Sequence, residues 1–202
     1  MIDHDAYLAA LSRSEAVFDS AARLPGQVFK GTWGESLFYD FDSLLAPEIW
    51  PALCEMARWH GDDRIDLVVL KPDCQTYYLN DYQVYPAVSL SVDATEDDYW
   101  EAISHEPKGD IFGSIAISAN VITLTGPSGQ WGCWGERDPE VSVFRGFPSP
   151  GAQNEWRERF GPFTDAQGAL ETSLAMVFRD NVPTEYAERL TANYGPPKGK
   201  HQ

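Results

Sequence analysis

The chain is poor in cysteine, in basic residues and in long apolar runs. Its three cysteines, Cys54, Cys74 and Cys133, are an odd number and form no C-x-x-C pair. That spacing suits reduced thiols in a cytosol better than a disulfide framework or a zinc knuckle. Lys and Arg total 15 against 31 Asp and Glu, a formal charge of -16. Such a field repels phosphate backbones and anionic headgroups and attracts basic partners, so neither a nucleic-acid nor a membrane partner is expected. No stretch approaches the roughly 20 apolar residues needed to span a bilayer. The opening segment "MIDHDAYLAALSRSEAVF" carries acids where a secretory leader needs positive charge, and the expected compartment is the cytoplasm. His4, His60, His105 and His201 show no H-E-x-x-H or other paired spacing, so no metal and no cofactor is expected.

What is present is the composition of a folded domain, with 43% hydrophobic and 13% aromatic residues in 202 positions. Apolar residues near helical spacing predict a first helix over about residues 5–22, ended by Leu24-Pro25-Gly26, and a second in "PEIWPALCEMARWHG". A short strand is predicted at Leu37–Phe41. "IDLVVL" reads as a buried strand, and "VYPAVSLSV" alternates with Val84, Val88, Leu90 and Val92 on one face, Pro86 marking a sheet edge or a strand start. Asp93 or Thr95 can cap the next helix, whose apolar side holds Tyr99, Trp100 and Ile103. The segments "IFGSIAI", "VITLT", "QWGCWGE" and "EVSVF" then predict an antiparallel meander. Helices follow over 151–160, over "TDAQGALETSLAMVF" with Thr164 and Gln167 as its capping box, and from near Pro183 to Gly195. The expected fold is a single α+β domain over residues 1–195, a central antiparallel sheet packed with helices from both ends of the chain, with a polar tail at 196–202.

The stretch "GPSGQWGCWGERDP", residues 126–139, raises the sharpest chemical question. It lacks the Lys and hydroxyl of a phosphate loop, and Ser128 is followed at once by Gly129, which breaks the G-x-S-x-G elbow of a serine nucleophile. Gly126-Pro127-Ser128-Gly129 fits a β-turn instead, its proline presetting φ at the second position. Trp131 and Trp134, three apart in an extended strand, point to opposite faces, so only one of them need be core. Cys133 has no histidine nearby in sequence to activate it and reads as inert packing. Glu136, Arg137 and Asp138 form the charged tip of the next hairpin.

Residues 91–110 hold seven acids, Asp93, Glu96, Asp97, Asp98, Glu101, Glu106 and Asp110, against Lys108 alone. They read either as first-turn acids favouring the positive end of a helix or as a carboxylate surface that meets Lys and Arg of a partner. Their spacing is not that of a calcium loop. Tyr77, Tyr78, Tyr82 and Tyr85 read as sheet packing or as part of an exposed recognition surface.

The segment "TGPSGQWGCWGERDPEV" resembles a stretch of uncharacterised bacterial cytosolic proteins, some of which resemble immunity proteins of polymorphic-toxin systems. That resemblance, over about seventeen residues, implies a compact antidote that occludes a cognate toxin and performs no chemistry itself. Composition independently favours binding over catalysis. The expected function is therefore that of a non-catalytic acidic domain docking a basic protein partner through Asp93, Glu96, Asp97, Asp98, Glu101, Trp131, Trp134, Glu136, Arg137 and Asp138, with no catalytic residue assigned. The competing expectation is a small hydrolase-like enzyme whose site is assembled from distant residues. A deep pocket holding a perturbed acid or base discriminates in its favour.

Overall fold

In a computed structural model that describes residues 2–196, six strands make one antiparallel sheet, ordered β1-β6-β5-β4-β2-β3. They are β1 (Leu37–Asp40), β2 (Arg64–Lys71), β3 (Ala87–Ser91), β4 (Val121–Thr125), β5 (Gly132–Glu136) and β6 (Val141–Arg145). The helices are α1 (His4–Val17), α2 (Phe41–Leu44), α3 (Trp50–Trp59), α4 (Glu96–Ser104), α5 (Ile115–Ser118), α6 (Pro150–Phe160), α7 (Ala166–Glu171), α8 (Ser173–Val177) and α9 (Thr184–Tyr194). The architecture is the expected α+β domain, with β4, β5 and β6 as its antiparallel meander and β3, which starts just after Pro86, at an edge. Residues 197–202 of the predicted tail lie outside the described residues.

Period-2 alternation divides the strands between two faces. Ile65, Leu67, Val69, Ile122, Leu124, Cys133 and Phe144 pack on one side with α2, α3, α4 and α6, through Phe41, Leu53, Tyr99 and Trp156. On the other side Phe38, Val121, Trp134, Val141 and Val143 meet the segment 17–29, α7, α8 and α9, while Tyr7 and Ala10 of α1 cover Val68 and Ala87. Every residue of β4, β5 and β6 is consequently buried. Gly132 and Gly135 are the thin points of β5: a Cβ at Gly132 would meet the Phe18 ring at 2.5 Å, and one at Gly135 would meet Leu44 and Phe41 at 3.0 Å.

The second layer is drawn from both chain ends. Tyr194 of α9 donates its hydroxyl to the Gly26 carbonyl at 2.6 Å and accepts from Val28 N at 3.0 Å. Asn193 donates to the Pro25 carbonyl, and Arg145 of β6 donates to the Asn193 carbonyl while its guanidinium lies over the Tyr194 ring.

Three predicted elements differ. "IFGSIAI" is no strand: Ile111–Gly113 is a 3-10 turn and Ile115–Ser118 is α5. Asp110 accepts from Phe112 N at 2.9 Å and the Ser114 and Ser118 hydroxyls donate to the Ile111 and Ser114 carbonyls, so side-chain bonds to local backbone outcompete a ladder. The first helix stops at Val17 because Phe18 leaves it to bridge Phe29. The helix predicted over "TDAQGALETSLAMVF" is capped by Asp165, which accepts from Gly168 N at 2.8 Å, and is broken at Thr172; Thr164, the predicted cap, is instead bridged to Phe38.

Candidate functional site

The turn at 126–129 forms as predicted, Gly129 N donating to the Gly126 carbonyl at 3.1 Å. Its anchor is Asp62, a residue the sequence did not single out. One Asp62 oxygen accepts from Ser128 N at 2.6 Å, and the other accepts from the Ser128 hydroxyl and Trp131 Nε1, both at 2.8 Å. Trp131 and Trp134 do point to opposite faces, and both are fully buried because helices cover both. Neither they nor Glu136, 3% exposed, can meet a partner at the surface, which corrects their assignment as docking residues. Cys133 is likewise fully buried, and burial raises its thiol pKa well above the usual value, consistent with inert packing. Arg137 is half-buried and committed inward: it donates to the carbonyls of Ala119 and Ala116 and pairs with Asp42 at 2.9 Å. Asp138 remains exposed at the hairpin tip.

The acids of the 91–110 stretch stand where a partner could reach them. Asp93, Glu96, Asp97, Asp98 and Glu101 are all exposed. Asp98 has a structural task as well. Its Oδ2 accepts from Thr95 N and from the Thr95 hydroxyl, both at 2.7 Å, while Thr95 Oγ1 accepts from Asp98 N, which completes a capping box and lowers the carboxyl pKa chiefly through the Thr95 backbone bond. Asp93 lies 3.9 Å from Arg58. Asp97 and Glu101 have no ion-pair partner among the described residues. Trp100 of the same helix is 45% exposed, α5, packed against α4, presents Ile117 at 47%, and the turn packed against α5 presents Ile111 and Phe112 at 48% and 61%. Four of the six large exposed apolar side chains among the described residues thus belong to α4 and the two short helical turns that follow it. Of the predicted tyrosines, Tyr78 is buried and bonded to Ser118, while Tyr77, Tyr82 and Tyr85 are half-buried.

Glu136 ends β5 on the same face as Trp134. Its Oε1 accepts from Trp134 Nε1 at 2.7 Å and from Leu24 N at 2.9 Å. Burial raises its carboxyl pKa, against the smaller opposite pulls of those two bonds and of Arg23. It lines a cleft of about 580 Å³ together with Arg23, Lys71, Asn120, Arg137 and Asp138. The phase of "WGE", with Glu136 two residues after Trp134, was the sequence signal for its burial. A second cavity of about 690 Å³, between Phe38 and Tyr39 of β1 and the α7–α8 break, gathers none of the predicted residues.

Among the described residues no cluster of three or more His, Cys, Asp or Glu side chains is placed to hold a metal ion, and no helix is long and apolar enough to cross a membrane. No family model, no curated protein and no solved structure matches the chain, which leaves the geometry of its surfaces as the guide to function.

Proposed function

We propose that this chain is a non-catalytic protein-binding domain whose α4 corner docks a basic partner, in the manner of an immunity protein that occludes a basic toxin. One observation carries the reading: the carboxylates of Asp97 and Glu101, without an ion-pair partner among the described residues, share a short stretch of chain with exposed Trp100, Ile111, Phe112 and Ile117. An aromatic and aliphatic centre supplies the desolvated anchors that hold a complex, and a charged rim accelerates encounter and selects its sign. The surplus of 16 negative charges adds a long-range field of the same sign.

The test uses the protein as bait at low and high ionic strength, in its natural form and as Asp97→Lys/Glu101→Lys. Asp98 is spared because reversing it would unmake the helix cap. A basic partner held by the natural protein, associating more slowly as salt rises, and lost by the double variant is the expected result. A partner retained equally by the variant, or one whose association rate ignores salt, overturns the reading.

The enzyme reading is favoured by a different observation, the cleft at Glu136, where a buried carboxylate with a raised pKa stands beside Arg23 and Lys71 from distant parts of the chain. Loss of a measured activity in Glu136→Gln with the fold retained is its test, and full activity in that variant removes it.

A further inference from the structure

The cleft at the end of β5 reverses the electrostatic character of the rest of the molecule. Acids outnumber bases two to one along the chain, yet the cleft walls hold Arg23, Lys71 and Arg137 against Glu136 and Asp138. Arg137 is spent on Asp42 and two carbonyls. The other two cations are not spent on carboxylates. Arg23 donates from Nη1 to the Ser20 and Ala22 carbonyls and lies over the Trp134 indole, its centre 5.6 Å from the ring, with no ion pair among the described residues. Exposed Lys71 has neither an ion pair nor a side-chain hydrogen bond there. Arg23 acts on Glu136 and Lys71 on Asp73 only at a distance, so at this cleft two cations stand with no carboxylate in direct contact among the described residues.

Glu136 shows the complementary vacancy in hydrogen bonding. Both of its bonds fall on Oε1, and none from the described residues reaches Oε2. The Tyr186 hydroxyl, buried without a hydrogen-bond partner among the described residues, lies outside the cleft lining, and its pKa is raised first by burial and then by the Glu136 charge. Oε2 is not one of the buried orphaned atoms, so it is open to a donor that enters the cleft. The volume, about 580 Å³, exceeds what a bare inorganic ion fills and falls within the range of small-molecule sites; Leu24 and Val121 supply apolar wall.

We propose that this cleft binds a small hydroxylated organic oxyanion, a phosphate monoester or a carboxylate, with its charged oxygens held by Arg23 and Lys71 and its hydroxyl donating to Glu136. Arginine offers a planar fork and lysine a mobile point charge, the usual pair of devices for oxyanions. The hydroxyl end faces the carboxylate, which keeps the two negative groups apart.

Titration calorimetry at low ionic strength with glycerol 3-phosphate, glycerate, inorganic phosphate and glycerol tests the assignment. Either glycerol 3-phosphate or glycerate binds, which distinguishes phosphate from carboxylate as the preferred charge, and it binds about tenfold more tightly than inorganic phosphate. Glycerol alone gives no heat. Lys71→Ala weakens that binding about tenfold, whereas Lys108→Ala, which removes a cation elsewhere on the surface, leaves it unchanged. Absence of binding by both organic probes, equal affinity for inorganic phosphate, or binding untouched by Lys71→Ala overturns the proposal. The outcome is independent of the α4 docking face, since Lys71 lies outside that surface and no partner protein enters the titration.

Discussion

Replacing Asp62 by Ala removes the anchor of the 126–129 turn, and the structure sets the size of the effect. Three donors lose their acceptor. Trp131 Nε1 is fully buried and has no water to turn to, so its orphaned N–H costs about 1–3 kcal/mol. The Ser128 amide and hydroxyl are only partly buried and rehydrate, which brings the loss at each below the roughly 1.5–3 kcal/mol of a bond to a charged group, to about 1 kcal/mol. The sum is about 4 kcal/mol, a large share of the roughly 5–15 kcal/mol by which domains are stable. For a chain of this length it lowers Tm by about 10 °C. Urea and thermal unfolding followed by circular dichroism measure it. The geometry supplies an internal control, because a Cβ at Gly126 would meet Asp62 Oδ2 at 2.0 Å and Cγ at 2.4 Å. Gly126→Ala is therefore destabilising by itself and less so once Asp62→Ala has removed those two atoms, leaving only the Cβ of residue 62 at 2.8 Å. The double variant should cost clearly less than the two single costs added. A loss under about 1 kcal/mol for Asp62→Ala, or strict additivity in the cycle, refutes the role assigned to this carboxylate.

Two further outcomes follow from the same accounting. Glu136 has its pKa raised from 4.5 mainly by burial, so between the unfolded and folded values the folded chain holds a proton that the unfolded chain has released; the associated stability is complete below the unfolded value and is lost as pH rises through the folded one. Glu136→Gln should lack that decline, its unfolding free energy running flatter than the natural protein's above about pH 4.5, and parallel curves would contradict the burial argument. Thr95→Ala removes one half of the α4 capping box and should cost about 1 kcal/mol in urea unfolding, while Thr95→Ser, which keeps the hydroxyl, should stay near the natural value.

The readable parts of this fold are those whose local chemistry and tertiary setting agree. Gly126-Pro127-Ser128-Gly129 announces its turn locally through the φ of its proline, and the strands either side alternate in phase with it, so the β4–β5–β6 meander was legible. Thr95 and Asp98 announce α4 in the same way. The stretch 111–117 misled because apolar Ile111, Phe112 and Ile117 suggest burial in a sheet, whereas all three are exposed on short helical turns held by Asp110, Ser114 and Ser118. The number of layers was not legible either. Helices on both faces bury Trp131 and Trp134 alike, and a strand pattern by itself does not say whether its second face will be covered. Of the predicted docking set, Asp93, Glu96, Asp97, Asp98 and Glu101 share one exposed helix and its lead-in. Trp131, Trp134 and Glu136 went inside, and Arg137 turned toward α5. Asp62, Arg23 and Lys71 escaped notice because each matters only through a neighbour far away in sequence, 66 positions in the case of Asp62 and Ser128.

The bond from Tyr194 to Gly26 spans 168 positions. During synthesis segment 17–29 and the meander emerge before α9, so Phe38, Trp134 and Val143 first lack the part of their cover that Leu190 and Tyr194 supply. A nascent chain stalled before α9 would leave that cluster short of Leu190 and Tyr194, and the Gly26 carbonyl and Val28 amide short of their hydroxyl partner, so residues 184–194 act as a clasp that arrives late.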